Sequence, residues 1–189
     1  MTDGAEAEKN GNMSGHLLVA HPSLRDSHFA KAVVLVSVHS PEEGTLGVIL
    51  NHPLNMTLGR VNHHFAYSPL ADIPIYRGGP VGNDQVILTA WQWSMDRRTF
   101  KFYFGIDQEK AQELLQVAPD AEVRGFLGYS GWSAGQLEGE LNDNAWLTTT
   151  LQHNNLGWVE GEKLWQALLD EINPTLRFGL DGPENPSNN

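Results

Sequence analysis

Residues 99–105, TFKFYFG, alternate without a break, placing Phe100, Phe102 and Phe104 on one side of an extended chain and Lys101 and Tyr103 on the other. A period of two with one apolar face is the pattern of an antiparallel strand that covers a core on one side only. Other segments are expected to pair with strands of this kind. HLLVA (16–20) and AVVLVSV (32–38) are short runs rich in branched residues and bounded by turn formers, which read as buried strands. Between them HPSLRDSHF is polar and interrupted by proline, so it reads as a loop or a single helical turn. SPEEGTL (40–46) carries turn chemistry and joins the second run to TLGVILN (45–51) as a hairpin. QVILTAW (85–91) and EVRGFLGYS (122–130) are further strands.

The period changes in two places. After Asp107, a good N-cap, Ala111, Leu114, Leu115 and Ala118 recur at helical spacing until Pro119 stops them. Leu164, Trp165, Leu168, Leu169 and Ile172 form a second stripe, on a helix expected from about 161 to 172, with Pro174 just beyond. Both stripes are expected to face the core. Residues 52–74 are the least regular part of the chain, with a short helix expected around Leu58 to Val61. Hairpins with a few interspersed helices, without strict alternation, point to an α+β fold in a single compact domain. That domain is expected to span 15–178, between a disordered acidic extension (1–14) and a disordered tail (179–189).

The absence of cysteine excludes disulfides, thiol catalysis and cysteine-ligated metals. A formal net charge of −11 opposes direct nucleic-acid binding, and the densest basic group is only Arg97, Arg98 and Lys101. The N-terminus does not read as a signal peptide, and no apolar run has the length of a membrane helix, so a cytoplasmic location away from membranes is expected.

Residues 131–135, GWSAG, fit G-x-S-x-G, the pattern that seats a nucleophilic serine on a strand-to-helix turn. An expected strand precedes Ser133, and QLEGELNDNAW (136–146) has the makings of a helix. A serine alone is a weak nucleophile and needs a base. Downstream of it the only histidine is His153, and the only aspartate before that is Asp143. Such close spacing leaves little chain for separate strands to deliver each member of a triad, although an upstream histidine is an alternative. The bland reading is that these glycines make a turn.

Glu138 and Glu140 diverge if their segment is helical and share a side if it is a strand, where they could bind a cation. Gln136 beside them offers both donor and acceptor. Gly78-Gly79-Pro80 reads as a tight turn or as an anion nest. In Asn51-His52-Pro53 the asparagine is suited to cap a turn, and Pro53 holds His52 extended. Trp132 and Trp146 are apolar anchors or pocket walls. The eight histidines show no metal spacing, His63 and His64 being adjacent, and neither metal nor cofactor is expected.

Four segments together resemble the AlgH/YqgE-like family of bacterial proteins: GHLLVAHPSLRDSHFAKAVVLVSVH (15–39), EGTLGVILNHP (43–53), YRGGPV (76–81) and GYSGWSAGQLEGELNDNAW (128–146). The resemblance spans most of residues 15–170, and its most specific part is GW followed two residues later by GQLE. It implies an α+β fold built around a flattened, barrel-like, largely antiparallel sheet flanked by helices. It also implies a transcriptional-regulator label without an established activity or ligand. The family pattern, GW-x-x-GQLE, does not specify a serine at position 133. The chain departs from it in its acidic N-terminal extension and in QVILTAW, which lacks an expected histidine. The function expected is a non-enzymatic binding or regulatory module acting through a protein or small-molecule partner. A Ser133 hydrolase and a direct DNA-binding regulator are the alternatives. A binding pocket is expected where the NHP, GGP and GWSAGQLE segments meet, with Asn51, Pro53, Gly78, Gly79, Trp132, Gln136, Glu138 and Glu140 as its candidates.

Overall fold

The computed structural model describes residues 12–94, 99–151 and 161–178; the Arg97–Arg98 pair, His153, the first eleven residues and the tail from 179 lie outside the described residues. The expected hairpin forms from β2 (Val33–Ser40) and β3 (Gly44–Ile49), and β1 (His16–Ala20) lies antiparallel against β2. Every residue of β1 and the first four of β2 are buried, as runs of branched residues covered on both faces must be. The alternation then reverses. A bulge between Val36 and Val38, held by the Ser37 hydroxyl donating to the Leu46 carbonyl at 2.9 Å, turns Val38 outward to 50% exposure and His39 inward. The apolar run alone carries no mark of that reversal.

The irregular stretch holds β4 (Pro53–Thr57), α1 (Leu58–Val61), a 3-10 turn (His63–Phe65) and β5 (Pro74–Arg77). β6 (Val81–Ser94) and β7 (Thr99–Phe104) form the second hairpin, and Phe100, Phe102 and Phe104 pack against the main core as their alternation requires. Then come α2 (Gln108–Val117), β8 (Ala121–Trp132), α3 (Gln136–Asn142), β9 (Trp146–Thr150), α4 (Glu162–Ile172) and α5 (Thr175–Phe178). Asp107 caps α2 as expected, its carboxylate accepting from the Lys110 amide at 2.7 Å.

All nine strands of the described residues belong to one sheet, in the order β4-β5-β8-β3-β2-β1-β9, with β6 added on β8 and β7 on β6. The β5–β8 pairing is parallel and the others are antiparallel. The sheet curls but does not close, and β4, β7 and β9 are its edges.

The described residues form two apolar cores. The larger gathers β1 to β3 with the α4 stripe Leu164, Trp165, Leu168 and Leu169, all buried. At about 2 kcal/mol per buried large apolar side chain, this one helix face is a major stabilising element. The smaller core packs α1 and α2 on β5, β6 and β8. There Ala111 and Leu114 are buried, whereas Leu115, expected on the same stripe, remains 38% exposed. Among the described residues no helix is long and apolar enough to cross a membrane, and no group of acidic and histidine side chains could hold a metal ion.

Candidate functional site

Ser133 follows the last residue of β8 and stands exposed at the foot of α3. Gly135, at φ +77°, turns the chain into the helix in a backbone conformation that suits glycine. The Ser133 amide donates to Gln136 Oε1 at 3.0 Å, and the Ser133 carbonyl accepts from the Gln136 amide at 2.9 Å. Among the described residues no histidine nitrogen lies within hydrogen-bond distance of its hydroxyl. His39, whose Nε2 lies 3.5 Å from Glu138 Oε1, shares a 2.7 Å hydrogen bond through Nδ1 with the Thr45 hydroxyl. This is a hydroxyl–imidazole–carboxylate string, but Thr45 is 2% exposed and no substrate reaches it.

Because 136–142 is helical, Glu138 and Glu140 diverge. Glu138 reaches His39. Glu140 Oε2 accepts from both indoles, Trp132 Nε1 at 2.9 Å and Trp146 Nε1 at 2.7 Å, while Oε1 accepts from Gln136 Nε2 at 3.0 Å. Phe29 lies against both rings, 6.0 Å from Trp132 and 5.6 Å from Trp146. The two tryptophan rings are 5.9 Å apart. Their strands are separated by four strand spacings in the hydrogen-bonded order, about 19 Å in a flat sheet. The sheet is therefore bent around α3, and Glu140 clasps its two arms.

The other expected segments meet elsewhere. Pro53 pairs with Tyr76 in the β4–β5 ladder, and the His52 carbonyl accepts from the Arg77 amide at 2.9 Å. The Gly78 carbonyl accepts from the Ile49 amide at 2.9 Å and the Ser130 hydroxyl at 3.0 Å. A Cβ at Gly78 would stand 2.2 Å from the Gly128 carbonyl oxygen, and one at Gly79 2.2 Å from that of Tyr129. These glycines let the β5–β6 turn cross directly over β8. Asn51 is 2% exposed; its Oδ1 accepts from Val33 N at 2.8 Å, and its Nδ2 donates to the carbonyls of Lys31 at 2.9 Å and Gly161 at 3.1 Å. It pins two loops to the entrance of α4. No hydrogen bond or ion pair joins Asn51, Gly78 or Gly79 to Trp132, Gln136, Glu138 or Glu140.

His52, between Asn51 and Pro53 in the chain, is a titratable group with a pH consequence. Burial of the His52 imidazole, and then the Arg77 guanidinium, hold its pKa below the ordinary 6.5. As pH falls through 6.5 the unfolded chain takes up a proton that the folded chain resists, so stability drops below that point and is unaffected well above it. We expect His52→Gln to flatten the fall in urea midpoint between about pH 7.5 and about pH 5.5. Parallel curves for parent and variant would refute this.

A separate groove of about 800 Å³ opens between the α1 region, the start of β6 and the entrance to α2. Leu58 and Leu88 are buried at its floor beside Phe65 and Ile106. His63, Asp84, Gln85 and Gln108 stand at its rim, and none of these four side chains hydrogen-bonds or ion-pairs with another described residue. Among the described residues no lysine or arginine lines it. The sequence reading did not anticipate this groove, because its walls come from three separated segments with no shared motif. The one hint was the irregularity of 52–74.

An AlgH-like family model matches residues 17–177. A UPF0301 protein of Streptomyces coelicolor is 35% identical, with 94% of this chain and 96% of the relative covered. One of Thermobifida fusca is 32% identical over the same shares. The solution structure of the AlgH protein from Pseudomonas aeruginosa superposes with a TM-score of 0.63 at 26% identity, covering 92% of this chain and 96% of that one. A Corynebacterium diphtheriae crystal structure shares the fold, with a TM-score of 0.66 at 24% identity over 87% of this chain and 90% of that one.

Proposed function

We propose, from the premise that the chain belongs to the AlgH-like family, that it is a cytoplasmic, non-enzymatic binding module acting through a protein or small-molecule partner, any effect on transcription being indirect. The observation that carries this reading is how the GWSAGQLE segment spends its polar groups. Trp132, Gln136 and Glu140 are bonded to one another and to Trp146, and the Ser133 amide is bonded to Gln136. The segment that most resembles a nucleophile elbow thus holds the sheet in its curl.

Electrostatics argue against direct DNA reading. The net charge is −11, and Arg124 is buried, stacked 4.5 Å from the Tyr76 ring and 4.8 Å from that of Trp91 and ion-paired with Glu122 at 2.6 Å. That side chain is unavailable to phosphate. The test of the reading is chemical. We expect a fluorophosphonate probe to leave Ser133 unlabelled, and Ser133→Ala to shift unfolding free energy by less than about 0.5 kcal/mol. Labelling that disappears in Ser133→Ala would establish the hydrolase instead.

A further inference from the structure

The groove walled by α1, β6 and the entrance to α2 has what a ligand site requires, open volume and unspent polar groups. Its volume of about 800 Å³ lies within the range of about 300–1,000 Å³ usual for small-molecule sites. An apolar floor with a few convergent polar side chains is the usual division between affinity and orientation in such sites. In the clasp, by contrast, both indole donors are bonded to Glu140 Oε2, and Glu140 Oε1 accepts from Gln136.

The rim also selects by charge. Among the described residues Asp84 is the one acidic side chain lining the groove, and no lysine or arginine opposes it there. The chain as a whole carries 23 acidic against 12 basic side chains, so its field draws in cations and repels anions. Gln85 and Gln108 can each donate and accept, which suits a ligand that presents N–H groups. We infer that this groove binds a small amphipathic amine, its apolar body against Leu58, Leu88 and Ile106 and its ammonium at Asp84. The inference rests on the binding-module reading and names the ligand class that reading leaves open.

Three probes of equal length separate the alternatives: 4-phenylbutylamine, 4-phenylbutanol and 4-phenylbutyrate, each titrated into the full chain and followed by amide resonances. The amine is expected to move the resonances of 58–65 and 84–88, the alcohol to move them with about fivefold weaker affinity, and the carboxylate to leave them in place. Asp84→Asn, at an exposed position, is expected to weaken the amine about fivefold and leave the alcohol unchanged. Gln85→Trp, which fills the mouth, is expected to abolish both. No movement of these resonances with any probe would overturn the inference, and so would binding of the carboxylate as tight as the amine. Movement confined to the surroundings of Trp132 and Gln136 would overturn this site while leaving the binding-module reading intact. Labelling of Ser133 by the fluorophosphonate is what would remove that reading.

Discussion

Gly79→Ala is expected to leave little folded protein, with a loss of more than about 4 kcal/mol where it can be measured. The added Cβ would lie 2.2 Å from the carbonyl carbon and oxygen of Tyr129 and 2.4 Å from the Ser130 amide nitrogen. Those are backbone atoms of β8, which is paired with β3, β5 and β6 at once. Moving them aside means breaking ladder bonds on one of those pairings, and no side-chain rotation relieves the contact. A domain whose whole stability is about 5–15 kcal/mol has little margin for that. Gly139→Ala is the control. Its Cβ would have nothing within 4 Å, and it sits inside α3, where alanine is favoured by up to about 1 kcal/mol. Urea unfolding of both variants decides the matter, and a Gly79→Ala protein within about 1 kcal/mol of the parent would show the crossing to be less tight than described.

Glu140→Ala is expected to cost about 3 kcal/mol. It strands two indole N–H donors, on tryptophans 5% and 3% exposed, and each buried donor without an acceptor costs about 1–3 kcal/mol. Glu140→Gln retains an acceptor oxygen and should cost about 1 kcal/mol or less. The near-UV circular dichroism of the tryptophans should weaken with the alanine variant while the far-UV signal persists. A double-mutant cycle isolates the cause. Trp132→Phe removes one stranded donor, so in the Glu140→Ala background it should cost less than it does alone. Additive losses would mean that the carboxylate contributes nothing through that indole.

Most elements could be read from the chain, and those that could not have specific causes. The strands 16–20 and 99–104 and the helix capped by Asp107 follow from a branched apolar run, a period of two and a cap, which are local properties. β9 has weaker marks: WLTTT carries two apolar residues, and its strand character comes from pairing with β1, more than a hundred residues earlier. The bulge that turns Val38 outward depends on the Leu46 carbonyl across the ladder. At the site, the reading that helical Glu138 and Glu140 would diverge holds, but the acceptor role of Glu140 depends on a curl set by the whole sheet. The groove was illegible for the same reason, since its floor is an accident of three segments meeting.

The strand order has a consequence for how the molecule holds together. β1 to β3 are one local meander within 16–49, and β8, α3 and β9 are a second unit within 121–150. The second unit embraces the first from both flanks, through the β3–β8 seam on one side and the β1–β9 seam on the other. Neither unit has both of its outer strands satisfied without the other. Opening one seam exposes an edge on each unit, while the indole clasp, wholly within the second unit, holds β8 and β9 at the span of the meander, so the two units are coupled as one cooperative block, and local fraying is left to the β4, β7 and outer β9 margins.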